Sequence, residues 1–208
     1  RTTMRRAVRG AWETLNRDPF VRDAKLLPNF YLAERYYPLA RAMVDGERSG
    51  NLLVNRSFEQ TEGDVVVGWQ GMEAGHDQTG DRGLVETART GEFGLRFTSD
   101  SPTIYQGKEQ DWVTVNALSD VVEVKQWDAL EATAWVRIDE DMQKTERGAV
   151  LEVVGYNEAG EAAWAVTDFE ANRVKATDGW VQIRTGTLIT QDAPVRVGVR
   201  LGISGIGE

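Results

Sequence analysis

Apolar residues follow two different rhythms along this chain. In the first part Ala7, Val8, Ala11, Trp12 and Leu15 recur at the three- and four-residue steps that put them on one side of a helix, while Arg5, Arg6 and Arg9 fall largely elsewhere. The run NFYLAERYYPLARAMV predicts a second helix, and Pro19, Pro28 and Pro38 discourage one continuous rod. At Asn51 the rhythm changes to period two. In LEATAWVRID, Leu130, Ala132, Ala134, Val136 and Ile138 fall on one side of a strand, opposite Glu131, Thr133, Trp135, Arg137 and Asp139. VRVGVRLGI repeats the pattern, with Val195, Val197, Val199, Leu201 and Ile203 inward and Arg196, Gly198, Arg200 and Gly202 outward. LEVVGYN sets Leu151, Val153 and Gly155 against Glu152, Val154 and Tyr156. FGLRFTS, WVTVNAL, VVEVKQ, AAWAVTDFE and GWVQIRTGTLI are further strands, separated by turn signals such as Asn157-Glu158-Ala159-Gly160 and Asp178-Gly179. Many short strands with few helices between them predict a mainly β fold, a two-sheet antiparallel β-sandwich or jelly roll over 51–208 behind an N-terminal helical arm, 1–50.

Charge follows the same division. The net charge is −9, yet residues 1–50 hold 10 basic and 6 acidic side chains, which leaves 14 basic against 27 acidic, a net of −13, for the β region. Such a field repels nucleic acid and anionic lipid, so neither is an expected partner, and the basic side of the first helix reads as a solvated face. No apolar run approaches the roughly 20 residues that span a bilayer, which excludes membrane insertion by a helix. The absence of cysteine removes disulfides, thiolate metal sites and cysteine nucleophiles. The chain opens at Arg1 without Met, as a piece of a longer protein would.

Catalytic chemistry has little to draw on. His76 is the only histidine and stands in the polar stretch AGHDQTGDRG, so there is no second imidazole for a triad or a metal cluster. GISGI breaks the nucleophile-elbow pattern at Ile206. Asp139 and Asp141 open like a calcium loop but lack glycine at the sixth position and glutamate at the twelfth, so DEDMQKTERG reads as a hairpin connection. Asn55-Arg56-Ser57 fits a glycosylation sequon and reads as chance. The chain itself is not expected to be an enzyme.

The order of several loose motifs is more telling. NLLVNRSFE followed by Gly68-Trp69, then GEFGLRF, VVEVKQWDALEATAWVRI, LEVVGYNEAGE and Gly179-Trp180 with alternating apolar residues, resembles the jelly-roll, galactose-binding-like carbohydrate-binding modules of the xylan- and β-glucan-binding type. The resemblance covers about residues 51–208 and implies a non-catalytic module of a larger polysaccharide-processing protein, extracellular or periplasmic. It implies a structural calcium ion with Glu59 as a ligand, although one carboxylate supplies only part of the six to eight oxygens calcium takes. It also implies that Trp69 and Trp180 close the core. GISGIGE offers no counterpart to the family's closing strand with its aspartate pair.

Glycan binding asks for exposed rings that stack on sugars and planar polar groups that satisfy hydroxyls. Trp112, Trp127 and Trp164 fall near strand ends or turns, but Trp135 stands opposite an apolar strand face. If the away-facing sides form one concave surface, Trp135 and Tyr156 share it with Arg137, Glu152, Arg196 and Arg200. These predict a groove for polysaccharide or oligosaccharide; the arginines favour a structural connector over a neutral glycan, and an acidic glycan, whose carboxylates arginine meets bidentately, reverses that inference. The other reading is a structural connector that touches other domains of a larger chain, with the helical arm packed over Trp135.

Overall fold

The computed structural model describes residues 50–63, 65–70, 80–105, 108–110, 115–126, 128–138, 142–143, 145, 147–167, 174–189 and 195–208. The expected helical arm lies outside them, as do His76, Trp12, Trp112, Trp127, Asp139 and Asp141. Fourteen strands appear among the described residues: β1 (Thr61–Glu62), β2 (Val65–Val66), β3 (Trp69–Gln70), β4 (Asp81–Val85), β5 (Gly94–Thr98), β6 (Thr103–Tyr105), β7 (Lys108–Gln110), β8 (Val115–Ser119), β9 (Val122–Val124), β10 (Ala129–Val136), β11 (Ala149–Tyr156), β12 (Ala162–Thr167), β13 (Val181–Leu188) and β14 (Val195–Ile203). All strand pairings are antiparallel, and the architecture is the predicted β-sandwich. Each strand named from the alternation is present. β1–β3, β6 and β7 carry two or three residues each, too few for a period to show, and β4, DRGLV, does not alternate.

One layer has the order β12-β11-β14-β8-β3, and β9 pairs with β14 beyond the end of β8. The facing layer is built from two separate pairs, β10–β13 and β4–β5. Between the layers Ala132 meets Leu151, Val153, Val195, Val197 and Ile203, residues whose alternation marked them as inward, and Ile183 joins them. Full burial of such side chains contributes about 1.5–3 kcal/mol each, which is what commits every strand to one register. A second cluster joins Val66, Trp69 and Ala117 to Phe58, Leu84 and Leu95, so Trp69 closes the core at this end of the sandwich.

The alternation along β11 does not divide it into a dry and a wet face. Leu151 and Val153 face the core, yet Val150, Glu152 and Val154 on the other side are also buried. Alternation fixes which side a residue takes; whether that side meets water depends on what lies over it. Gly155 shows how tightly the sheet is filled. A Cβ there would fall 2.0 Å from Cε2 of Trp164, its cross-strand partner, so only glycine lets that ring lie against the strand.

Candidate functional site

The outer face of β10–β13 follows directly from register. Trp135 is opposite Gln182 and Thr133 is opposite Arg184, while Ala132, Ala134 and Ile183 point the other way into the core. Cross-strand partners share a face, so Trp135, Thr133, Gln182 and Arg184 form one surface. Trp135 is 42% exposed. The guanidinium of Arg89, from the loop after β4, lies 3.6 Å from the Trp135 ring centroid, and that of Arg137 lies 5.5 Å from the Trp180 ring. A cation over an indole is held by the ring's quadrupole, worth about 0.5–1 kcal/mol where water has access. Arg184 donates to Gln182 Oε1 from Nη2 at 2.6 Å and from Nε at 3.1 Å, which fixes the amide on the same surface. The result is a face with two indoles, three guanidiniums and an oriented amide.

The other residues singled out in the sequence lie on the opposite side of the sandwich. Glu152 stands directly across from Arg200 on β14, and both point away from the core that Leu151 and Leu201 face. Arg200 Nη1 donates to Glu152 Oε2 at 2.8 Å, and Arg147 Nη2 donates to Oε1 in a short contact. The carboxylate is buried, with its residue only 5% exposed, and both guanidiniums are largely covered. Tyr156 is half-buried, its ring near Gly198, where an added Cβ would sit 3.5 Å from Tyr156 Cε2. Arg196 donates to the Asn157 carbonyl at 3.1 Å and braces the following turn.

The single groove expected from Trp135, Arg137, Glu152, Tyr156 and Arg200 is therefore two places. Trp135 and Arg137 share the outer face of β10–β13; Glu152, Tyr156 and Arg200 occupy the far face of the other sheet. Both sets point away from apolar neighbours, but away from a sandwich core means opposite sides of the molecule. Trp180, which the resemblance placed in the core, carries Arg137 over its ring and is only partly buried. Gln182 and Arg184 were legible as the away-facing positions of GWVQIRTGTLI. Arg89 and Arg147 carry no periodic signal and are recruited only by the folded chain.

The opening loop of the sandwich is organised by Asn55. Its side chain accepts from the Gln60 N–H at 3.0 Å and donates to the Gln60 and Val67 carbonyls at 2.7 and 2.8 Å. Its own carbonyl accepts from Trp69 Nε1 at 3.2 Å. Asn55 and Phe58 adopt positive φ, 48° and 66°, a conformation the side-chain bonds of asparagine help to hold. The amide nitrogen that a glycan would modify is thus committed to the turn. Glu59 Oε1 accepts from the N–H groups of Glu92 and Phe93 at 3.0 and 3.3 Å, tying this loop to the start of β5. Among the described residues no cluster of three or more acidic or histidine side chains forms a metal centre. Glu59 Oε2 adds one oxygen, so a calcium ion here would draw mainly on carbonyls and water.

No protein-family model matches the chain, and no curated protein matches it. Among solved structures it is similar to the xylan-binding CBM22-1 domain of Xyn10C from Paenibacillus barcinonensis, at 13% identity and a TM-score of 0.44, covering 78% of this chain and 99% of that one. It is similar at 15% identity and a TM-score of 0.41 to a chain solved in work on the promiscuous specificity of carbohydrate-binding modules of the β-sandwich superfamily, with 78% of this chain and 58% of that one covered. A third similar structure is the tandem CBM22-1–CBM22-2 domain of the same Paenibacillus barcinonensis protein, at 12% identity and a TM-score of 0.42, covering 78% of this chain and 47% of that one.

Proposed function

We propose that residues 51–208 form a non-catalytic carbohydrate-binding-like module, extracellular or periplasmic, as part of a larger polysaccharide-processing protein. Its ligand is an extended glycan that carries carboxylates, laid across the outer face of β10–β13. The observation that carries this reading is the exposure of Trp135 on a sheet face furnished with Arg89, Arg137 and Arg184. An indole offers a flat apolar surface to a sugar ring, and guanidiniums meet uronate carboxylates bidentately. In an otherwise acidic β region, this concentration of arginine favours an anionic polymer over a neutral one.

A structural connector is the second reading, and Arg89 favours it, because a guanidinium 3.6 Å from the Trp135 ring already occupies one of its faces. Sugar stacking then needs Arg89 to swing aside or the ring's other face to be used. The two readings separate in one experiment. A uronate-bearing oligosaccharide and its carboxyl-reduced counterpart are titrated into the parent protein and into Trp135→Ala by calorimetry. The glycan reading expects the acidic ligand to bind more tightly than the reduced one, and the variant to lose about tenfold or more in affinity with its fold intact. A parent that binds neither ligand leaves the connector.

A further inference from the structure

Arg89 lies on the loop between β4 and β5, residues 86–93, and two features fix the path of that loop. At its base, a Cβ on Gly94 would fall 2.4 Å from the Thr87 carbonyl oxygen, so the two limbs close on each other only because Gly94 has no side chain. Farther out, Glu59 Oε1 accepts from the N–H groups of Glu92 and Phe93, and a Cβ on Gly91 would fall 2.1 Å from the same oxygen. Gly91 has a φ of 85°, the left-handed conformation that glycine takes without strain. One carboxylate from the opening loop of the sandwich therefore hooks the segment that begins two residues after Arg89.

What the hook holds is a guanidinium on an indole. Arg89 Cζ is 3.6 Å from the centroid of the Trp135 ring, an ordinary contact distance between carbon surfaces. An edge-on guanidinium would press its nitrogens into the ring at that distance, so the group lies flat. Its N–H groups then point sideways, past the rim of the indole. The residue is exposed, and among the described residues nothing accepts from these donors; Glu86 and Glu92 of the same loop form no ion pair with Arg89. Arg184 on the same surface differs, because its Nε and Nη2 already donate to Gln182.

We propose that Arg89 is the residue that selects a carboxylate on the glycan, with Trp135 holding its fork toward that carboxylate and Glu59 as a positioning residue that acts through the loop. This rests on the glycan reading and deepens it: the cation over Trp135 stays in place and is itself the contact that the acidic ligand makes. A guanidinium already fixed by stacking loses little freedom when it takes a carboxylate through two parallel N–H···O bonds, whereas a loose surface arginine must first be ordered. Preference for an acidic over a neutral glycan then resides in one side chain, and it depends on Glu59 because Glu59 fixes the backbone beside it.

The test compares, by calorimetry, hexasaccharides of galacturonate and of mannuronate with their carboxyl-reduced counterparts. In the parent protein an acidic hexasaccharide should bind more tightly than its reduced form. Arg89→Ala should weaken that acidic ligand by about tenfold and leave the reduced one within about twofold. Arg89→Lys keeps the charge without the planar fork, so it should stay closer to the alanine variant than to the parent. Glu59→Ala should lower the acidic preference by about fivefold when Arg89 is present and leave it unchanged when Arg89 is already alanine. Glu59→Gln, which keeps the accepting oxygen, should retain the preference, and Gly91→Ala, which displaces that oxygen from the loop side, should lower it as Glu59→Ala does. An acidic preference that survives Arg89→Ala, or is fully restored by Arg89→Lys, overturns the inference and leaves the glycan reading standing. Equal effects of Glu59→Ala with and without Arg89 overturn the positioning role. A parent that binds neither acidic hexasaccharide overturns the glycan reading and this inference together.

Discussion

Glu152 is a carboxylate held between two guanidiniums away from water, and its charge is tolerable only because both are present. Replacing it with alanine leaves Arg147 and Arg200 facing each other in a covered site, at an expected cost of about 3–5 kcal/mol in stability. Denaturant unfolding of Glu152→Ala should show this as a lower midpoint, and a loss under about 1 kcal/mol would mean that water reaches the cluster. Trp135 is the contrasting residue. Its ring is partly in water and its identified partner is one cation, so Trp135→Ala should cost no more than about 1 kcal/mol. Asn55 belongs with Glu152, since one side chain satisfies three backbone groups and holds a positive φ. Asn55→Ala should destabilise by about 1–3 kcal/mol, measured in the same unfolding experiment.

At the scale of elements, the strands are held by what crosses between them. β11 lies between β12 and β14 and is buried on both faces from Ala149 to Gly155, so none of those positions has free volume. Gly155→Ala drives a methyl into the Trp164 ring and should cost about 1–3 kcal/mol through displacement of that ring. Loss of the near-ultraviolet circular dichroism of a fixed tryptophan would accompany it. The β10–β13 pair works differently, with one face on the core and the other presenting Trp135, Gln182 and Arg184. Binding of an acidic glycan to that face should weaken as salt is raised from low ionic strength toward about 1 M, where the screening length falls to about 3 Å. Salt-independent binding would argue for stacking without the arginines.

For the whole molecule, the change of rhythm at Asn51 makes a direct prediction. A chain beginning at Asn51 should give a β-dominated far-ultraviolet spectrum, and a largely helical one would defeat the sandwich. The structural calcium ion that the resemblance implies at Glu59 is tested at the same scale. If an ion binds the loop around Glu59 only in the folded state, the melting temperature rises with calcium concentration. Equal melting curves in calcium and in chelator would remove it.

Sequence alone determined the class of fold and the facing of its longer strands. Val197, Leu151 and Ala132 had to share an interior because their period-two patterns leave one side of each of these strands without polar groups. It also determined that Trp135 points away from that interior. Only the tertiary structure decided which away-facing residues become neighbours. The sides of the two layers that face away from the shared core are not the same side, so Trp135 and Arg137 parted from Glu152, Tyr156 and Arg200. Tertiary structure likewise brought Arg89 onto Trp135 and Arg147 onto Glu152, across 46 and 5 positions of chain respectively. Periodicity is a property of one strand and its own two faces; which faces meet, and which remain open, depends on long-range packing that no single segment encodes.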